Sequence, residues 1–102
     1  MIIKSTHSQL TYITDLLAHL LDENKPQDLA DKLVYGIVFK AFQKIRNKAE
    51  FPSRSGYRFT LTDQEALAMF VFLNQVDLKR DQYPYEANQL QLISDQIHQQ
   101  FV

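Results

Sequence analysis

Histidine and carboxylate side chains are the residues in this chain most capable of chemistry. Asp15, His19 and Glu23 follow one another at four-residue intervals, and Asp95 precedes His98 by three residues. Such spacing places side chains on one helix face, which is how helical bundles hold metal ions. His19 and Asp95, however, project well away from the apolar stripes of their own helices. We therefore predict surface charge pairs at these positions and no metal site.

Nucleophilic catalysis finds little support in the pattern of residues. The chain contains no cysteine, which removes thiolate nucleophiles, thiolate metal ligands and disulfides. No serine lies in the glycine context of a nucleophile elbow. Ser53-Arg54-Ser55-Gly56 offers donors to an anion, but it lacks the glycine and lysine spacing of a phosphate-binding loop. We interpret this tetrapeptide as a turn, and we expect neither an enzyme nor a bound cofactor.

Positive charge is concentrated between positions 40 and 58. That stretch holds six cations against one carboxylate, Glu50, whereas the whole chain has a formal charge of -1. Lysines on one helix face, followed by arginines and aromatic residues, form a pattern that can bind phosphates and stack on bases. A solvated helix face or an acidic protein partner explains the same pattern. The candidate nucleic-acid or anion contacts are Lys40, Lys44, Arg46, Lys48, Arg54, Tyr57 and Arg58.

Four amphipathic helices are predicted to position these residues. Apolar residues recur at intervals of three and four along residues 6–23, 27–49, 62–79 and from residue 84 onward. Pro26 is predicted in the first turn of the second helix, and Leu33 on its buried stripe. Thr62-Asp63-Gln64-Glu65 matches a capping box at the start of the third helix. The predicted fold class is all-α: residues 1–102 form a single, compact, four-helix bundle-like domain.

One extended segment is predicted between the second and third helices. Tyr57, Phe59 and Leu61 alternate with Arg58 and Thr60, as in a short strand laid across a core. A buried strand needs partners for its backbone groups. Residues 2–4, a second copy of the chain, or water at an exposed edge could supply them.

The third helix is apolar around most of its circumference, so something must cover it on every side. Leaving Val71, Phe72 and Leu78 in water would forgo about 1.5–3 kcal/mol for each. The other helices could cover this surface, but we expect a second polypeptide to complete it, most simply another copy related by a two-fold axis. The predicted interface residues are Leu67, Val71, Phe72 and Leu78.

These features favour a non-catalytic protein interaction or assembly module that is homodimeric through the third helix. A small nucleic-acid-binding protein that uses residues 40–58 is the first alternative, and a dedicated inhibitor or immunity-type protein is the second. The longest apolar run, residues 66–73, is eight residues long, against roughly 18 for a membrane-spanning helix. The first residues lack the pattern of a secretory signal. We therefore expect a cytoplasmic location and no membrane partner.

Overall fold

Four helices and two short strands make up the fold. The computed structural model describes residues 1–51 and 56–101. The elements, in chain order, are β1 (Ile2–Ser5), α1 (His7–Glu23), α2 (Leu29–Ala49), β2 (Tyr57–Thr60), α3 (Asp63–Gln75) and α4 (Pro84–Phe101). The predicted all-α, four-helix domain is confirmed.

Reciprocal capping boxes start two of the helices. The Thr6 hydroxyl accepts from the Gln9 amide at 3.2 Å, and Gln9 Oε1 accepts from the Thr6 amide at 2.9 Å. Thr62 and Glu65 repeat this arrangement at the start of α3, at 3.1 and 2.9 Å. Each box satisfies two backbone donors that a helix start leaves without partners. The capping box predicted for the third helix is confirmed.

The second helix begins later than predicted. Asp28 is its N-cap and accepts from the Asp31 amide at 2.8 Å. Pro26 therefore precedes the cap, and its prediction as a first-turn residue is wrong. The Asp28 carboxylate accepts a hydrogen bond from a first-turn amide, and a proline side chain cannot accept one. The position of this cap therefore determines where the helix starts.

The third helix ends at Gln75, four residues before the predicted end. Val76 is extended, with φ -100° and ψ 158°. Just beyond it, Asp77 accepts from the Lys79 amide at 2.9 Å, and Lys79 has a positive φ of 56°. Local side-chain hydrogen bonding of this kind competes with helix propagation and favours a turn.

The predicted extended segment forms a two-stranded antiparallel ribbon with the first residues of the chain. The register places Ile2 opposite Thr60, Ile3 opposite Phe59, Lys4 opposite Arg58 and Ser5 opposite Tyr57. The sequence allows three possible partners for this strand, and the structure shows that residues 2–4 are the ones that pair with it. Tyr57, Phe59 and Leu61 are buried, as their alternation predicts.

Side chains from two helices cap the outer edges of this ribbon. Lys44 Nζ donates to the Thr60 carbonyl at 2.9 Å, and Gln96 Nε2 donates to the Ile2 carbonyl at 3.2 Å. Outward-pointing carbonyls on a two-stranded sheet otherwise have only water as a partner. The ribbon is therefore held between α2 on one side and α4 on the other.

The helices enclose one hydrophobic core. α1 packs against α2 and α4, and α3 packs against the same two helices. Six residues of α1 are buried, among them Leu10, Leu17 and Leu20, so this helix supplies the centre of the core. The radius of gyration is 12.9 Å, in agreement with the value of about 13 Å predicted from the chain length.

Candidate protein-interaction face

The four predicted interface residues divide into two exposed and two buried side chains. Leu67 and Val71 are 44% and 39% exposed, whereas Phe72 and Leu78 are only 5% and 8% exposed. The expectation that Phe72 and Leu78 require a second polypeptide is therefore wrong. Both side chains belong to the core of the single chain.

The burial of Phe72 and Leu78 has two different causes. Phe72 lies on the side of α3 that faces α2, where it lines a depression together with Val34 and Tyr35. Leu78 lies beyond the end of α3, so a helical projection does not predict the direction of its side chain. The turn at Asp77 and Lys79 carries the chain back over the core and covers the Leu78 side chain.

α2 exposes leucines that the sequence analysis placed inside or did not single out. Leu29 and Leu33 are 83% and 68% exposed, so the predicted burial of Leu33 is wrong. At about 100° per residue, Leu33 lies roughly 140° around the helix from Val38, which is fully buried. Leu29, Leu33 and Ile37 follow one another at four-residue intervals, and this spacing was the signal in the sequence for an outward apolar stripe.

The helices that carry these exposed side chains, α2 and α3, lie side by side. Lys44 Nζ and Glu65 Oε1 are 2.7 Å apart, which joins the second half of α2 to the first turn of α3. Ile37 precedes Lys44 by seven residues, and Phe72 follows Glu65 by seven residues. The two helices are antiparallel neighbours, so Ile37 comes level with Phe72 and the adjacent Val71.

Each stripe lies opposite the buried side of its own helix. Leu67 and Val71 lie opposite the buried Met69 and Leu73 of α3, as Leu33 lies opposite the buried Phe42 of α2. We call the resulting surface the α2–α3 face. Its exposed apolar side chains are Leu29, Leu33, Leu67 and Val71, and the half-buried Ile37 also packs against the core.

Charges of opposite sign lie at the two ends of α2. Asp28 and Asp31 begin the helix, and Lys40, Lys44 and Lys48 occupy its second half. Anionic groups at a helix start and cationic groups near its end are each favoured by the helix dipole. α2 therefore carries carboxylates, together with the exposed Lys32, at its start and lysines in its second half.

One of these lysines is engaged within the chain. Lys44 Nζ contacts both Glu65 Oε1 and the Thr60 carbonyl. Partial burial raises the pKa of the Glu65 carboxyl, but the hydrogen bond from Lys44, the Thr62 amide and the Lys44 charge outweigh it, so this pKa lies below its ordinary value. Lys44 is therefore a poor candidate for contact with an external anion.

The remaining members of the basic segment are not gathered on one surface. Lys40 and Lys48 are exposed on α2, and Arg58 is exposed on β2. The Arg46 guanidinium lies 5.5 Å from the centre of the Phe42 ring. Tyr57 is buried, and its hydroxyl contacts His7 Nδ1 at 3.0 Å and donates to the Phe51 carbonyl, so the expected base stacking by Tyr57 is wrong. Arg54 and the rest of the Ser53-Arg54-Ser55 stretch lie outside the described residues.

The predicted charge pair in α1 is present, and it extends to a third residue. His19 Nε2 and Glu23 Oε1 are 2.8 Å apart, and Glu23 Oε2 lies 2.9 Å from Lys79 Nζ. The hydrogen bond from Lys79 lowers the pKa of Glu23, and the same hydrogen bond raises the pKa of Lys79. This pair links the end of α1 to the turn that follows α3.

Asp95 and His98 point to separate neighbours. Asp95 accepts from Gln91 Nε2 at 2.8 Å, while the His98 ring lies 5.9 Å from that of Phe70. Within residues 1–51 and 56–101, no group of three or more histidine, aspartate or glutamate side chains is placed to hold a metal ion.

Comparison with known proteins adds no assignment to this geometry. No family model, curated protein or solved structure matches the chain. In the part of the chain that the structure describes, no helix is long and apolar enough to cross a membrane.

Proposed function

We propose that this protein is a non-catalytic assembly module of the cytoplasm that self-associates through the α2–α3 face. The observation that carries the proposal is the exposure of Leu29 and Leu33 on α2 and of Leu67 and Val71 on the neighbouring α3, while the opposite side of each helix is buried. Exposed leucine and valine side chains on neighbouring helices of a folded chain are a feature of protein contact surfaces. This face differs from the interface predicted from the sequence, because it excludes the buried Phe72 and Leu78 and includes the outward stripe of α2.

A two-fold axis at Leu33 makes the α2 stripe complementary to itself. Two antiparallel copies of α2 then bring Leu33 opposite its equivalent, and Leu29 opposite the partner's Ile37. The antiparallel helix dipoles of the two copies oppose one another favourably.

The dimensions of the face indicate a weak dimer. Leu29 to Ile37 spans about 12 Å of helix axis, and two packed helices with their side chains are about 20 Å wide. The apolar patch is therefore about 240 Å², below the roughly 800 Å² per partner of a standard stable interface. We expect dissociation constants on the order of 10 μM or weaker, so that the dimer exchanges with monomer.

Sedimentation velocity over a concentration series tests this proposal. Leu33→Glu and Val71→Glu place a carboxylate on the face from two different helices, and each should abolish the concentration-dependent rise in sedimentation coefficient. Leu92→Glu is the matched control, because Leu92 is 52% exposed but lies on α4. Helical circular dichroism should be unchanged in all three variants. A wild-type protein that remains monomeric at several hundred micromolar contradicts the proposal and leaves a dedicated protein partner as the alternative.

Disulfide trapping tests the position of the axis. The chain contains no cysteine, so a single introduced cysteine can crosslink only to its equivalent. Packed helices at about 8–10 Å bring facing Cα atoms near the 4.4–6.8 Å that a disulfide requires. Leu33→Cys should form a covalent dimer under mild oxidation. Leu29→Cys is more exposed but lies about 12 Å from its equivalent, so it should crosslink far more slowly. Faster crosslinking of Leu29→Cys would place the axis elsewhere.

A further inference from the structure

Gly36 lies at the middle of the exposed side of α2. At about 100° per residue, it projects roughly 160° away from the fully buried Val38, and it is exposed. Leu33 precedes Gly36 by three residues and Phe39 follows it by three, so these exposed apolar side chains flank the glycine on the helix surface. Gly36 is therefore a gap between two apolar side chains.

No feature within the single chain requires a glycine at this position. Gly36 lies inside a helix and, unlike Gly56, it does not have a positive φ. A Cβ added at Gly36 would meet nothing within 4 Å. Glycine is less favourable than alanine in a helix interior, so a side chain here would make one copy of the chain more stable. What a glycine does offer is room for another backbone to approach closely.

The antiparallel dimer proposed above brings a side chain of the second copy to this gap. Leu33, Gly36, Ile37 and Lys40 have the spacing of the four residues that form a hole for a side chain of a facing helix. The two-fold axis sets the partner's Leu33 level with Leu33. Helical side chains lean toward the N-terminus of their own helix, and in an antiparallel partner this direction leads toward Gly36, about 4.5 Å along the axis. The partner's Leu33 therefore points into the hole beside Gly36.

The protruding side chain and the hole occur on the same helix, which favours a second copy of the chain as the occupant. Two-fold symmetry forms the contact twice, because each Leu33 packs into the hole of the other copy. An apolar patch of about 240 Å² is small for a stable interface, so its affinity depends strongly on close packing at its centre.

We propose that Gly36 is a positioning residue of the α2–α3 face. Its missing side chain forms the socket for the partner's Leu33, and it sets the two α2 helices near the short end of the range of about 8–10 Å for packed helices. This inference rests on the proposed function. It adds that the shape of α2 at one position, and not apolar area alone, selects a second copy of the chain.

Gly36→Leu tests the proposal, because the two explanations of the interface predict opposite effects. If apolar area alone drives association, a larger apolar side chain should tighten the dimer. If the socket is required, the new side chain fills it, and the dissociation constant from sedimentation velocity should rise on the order of 100-fold. Gly36→Ala adds one methyl group and should weaken the dimer about tenfold, although it makes the monomer more resistant to urea.

Gln43→Leu is the matched control. Gln43 is exposed and follows Gly36 by seven residues, so it lies on the same side of α2. In the dimer it extends past the partner's Leu29, where the partner's α2 begins, so Gln43→Leu should leave the dissociation constant unchanged. Helical circular dichroism should be the same in all three variants and the wild type.

The outcomes separate this inference from the proposed function. A dimer that Gly36→Leu tightens, or that Gly36→Ala leaves unchanged, contradicts the socket while self-association through the face stands. Equal weakening by Gln43→Leu also contradicts it, because the effect would then not be specific to Gly36. A wild-type chain that stays monomeric throughout the concentration series contradicts the proposed function, and the inference fails with it.

Discussion

Truncation of Phe72 should lower stability, whereas truncation of its neighbour Val71 should weaken self-association. Phe72 is almost completely enclosed, so Phe72→Ala removes the whole phenyl ring and leaves a cavity between α3 and α2. Substitutions of this kind cost about 3–5 kcal/mol. Val71→Ala removes two methyl groups from a site that is about three-fifths covered, which costs about 1 kcal/mol. Alanine has a higher helix propensity than valine, which offsets about half of this cost.

Urea denaturation followed by circular dichroism measures both changes. The free energy of unfolding of a domain of this size is about 5–15 kcal/mol, so Phe72→Ala could leave little folded protein. Phe72→Leu keeps most of the volume and should cost about 1–1.5 kcal/mol, which provides a measurable second point. Val71→Ala should change the midpoint little but weaken self-association. The reasoning fails if Phe72→Ala costs less than 1 kcal/mol, or if it dissociates a dimer without loss of stability.

The two glycines and the Lys44–Glu65 pair give further predictions. Gly36 lies in the middle of α2 with open space where a Cβ would be, so Gly36→Ala should raise the free energy of unfolding by about 0.5–1 kcal/mol in urea titrations. Gly56 has a φ of 86° and its added Cβ would lie 3.0 Å from the Ser5 carbonyl oxygen, so Gly56→Ala should lower the thermal midpoint; an unchanged midpoint would contradict the strain. The pKa of Glu65 is lowered in the folded state, so its contribution is present above the unfolded pKa of about 4.5 and is lost as pH falls through the folded pKa. Glu65→Gln should therefore be less stable than wild type at pH 7, by about 0.5–1 kcal/mol, and this difference should shrink toward pH 3; a constant difference would mean that the carboxylate charge is not involved.

Local sequence signals determined most of the secondary structure. Thr62 and Glu65 identify the start of α3, and the alternation of Tyr57, Phe59 and Leu61 identifies β2 and its buried side. These signals succeed because capping and side-chain alternation involve residues within a few positions of each other. The end of α3 was misplaced because the apolar pattern continues past Gln75 into a turn that Asp77 and Lys79 form.

The tertiary structure decided which apolar residues remain outside. The sequence indicated a surplus of apolar residues on the second and third helices, but its assignment of that surplus to Phe72 and Leu78 was wrong. The surplus lies at the predicted Leu67 and Val71 and also at Leu29 and Leu33, because α3 packs beside α2 and covers one of its flanks while the outward stripe stays uncovered. A helical periodicity gives the direction of each side chain around its own axis. Only the packing of one helix against another, which depends on residues distant in the chain, determines which of those directions meets protein and which meets water.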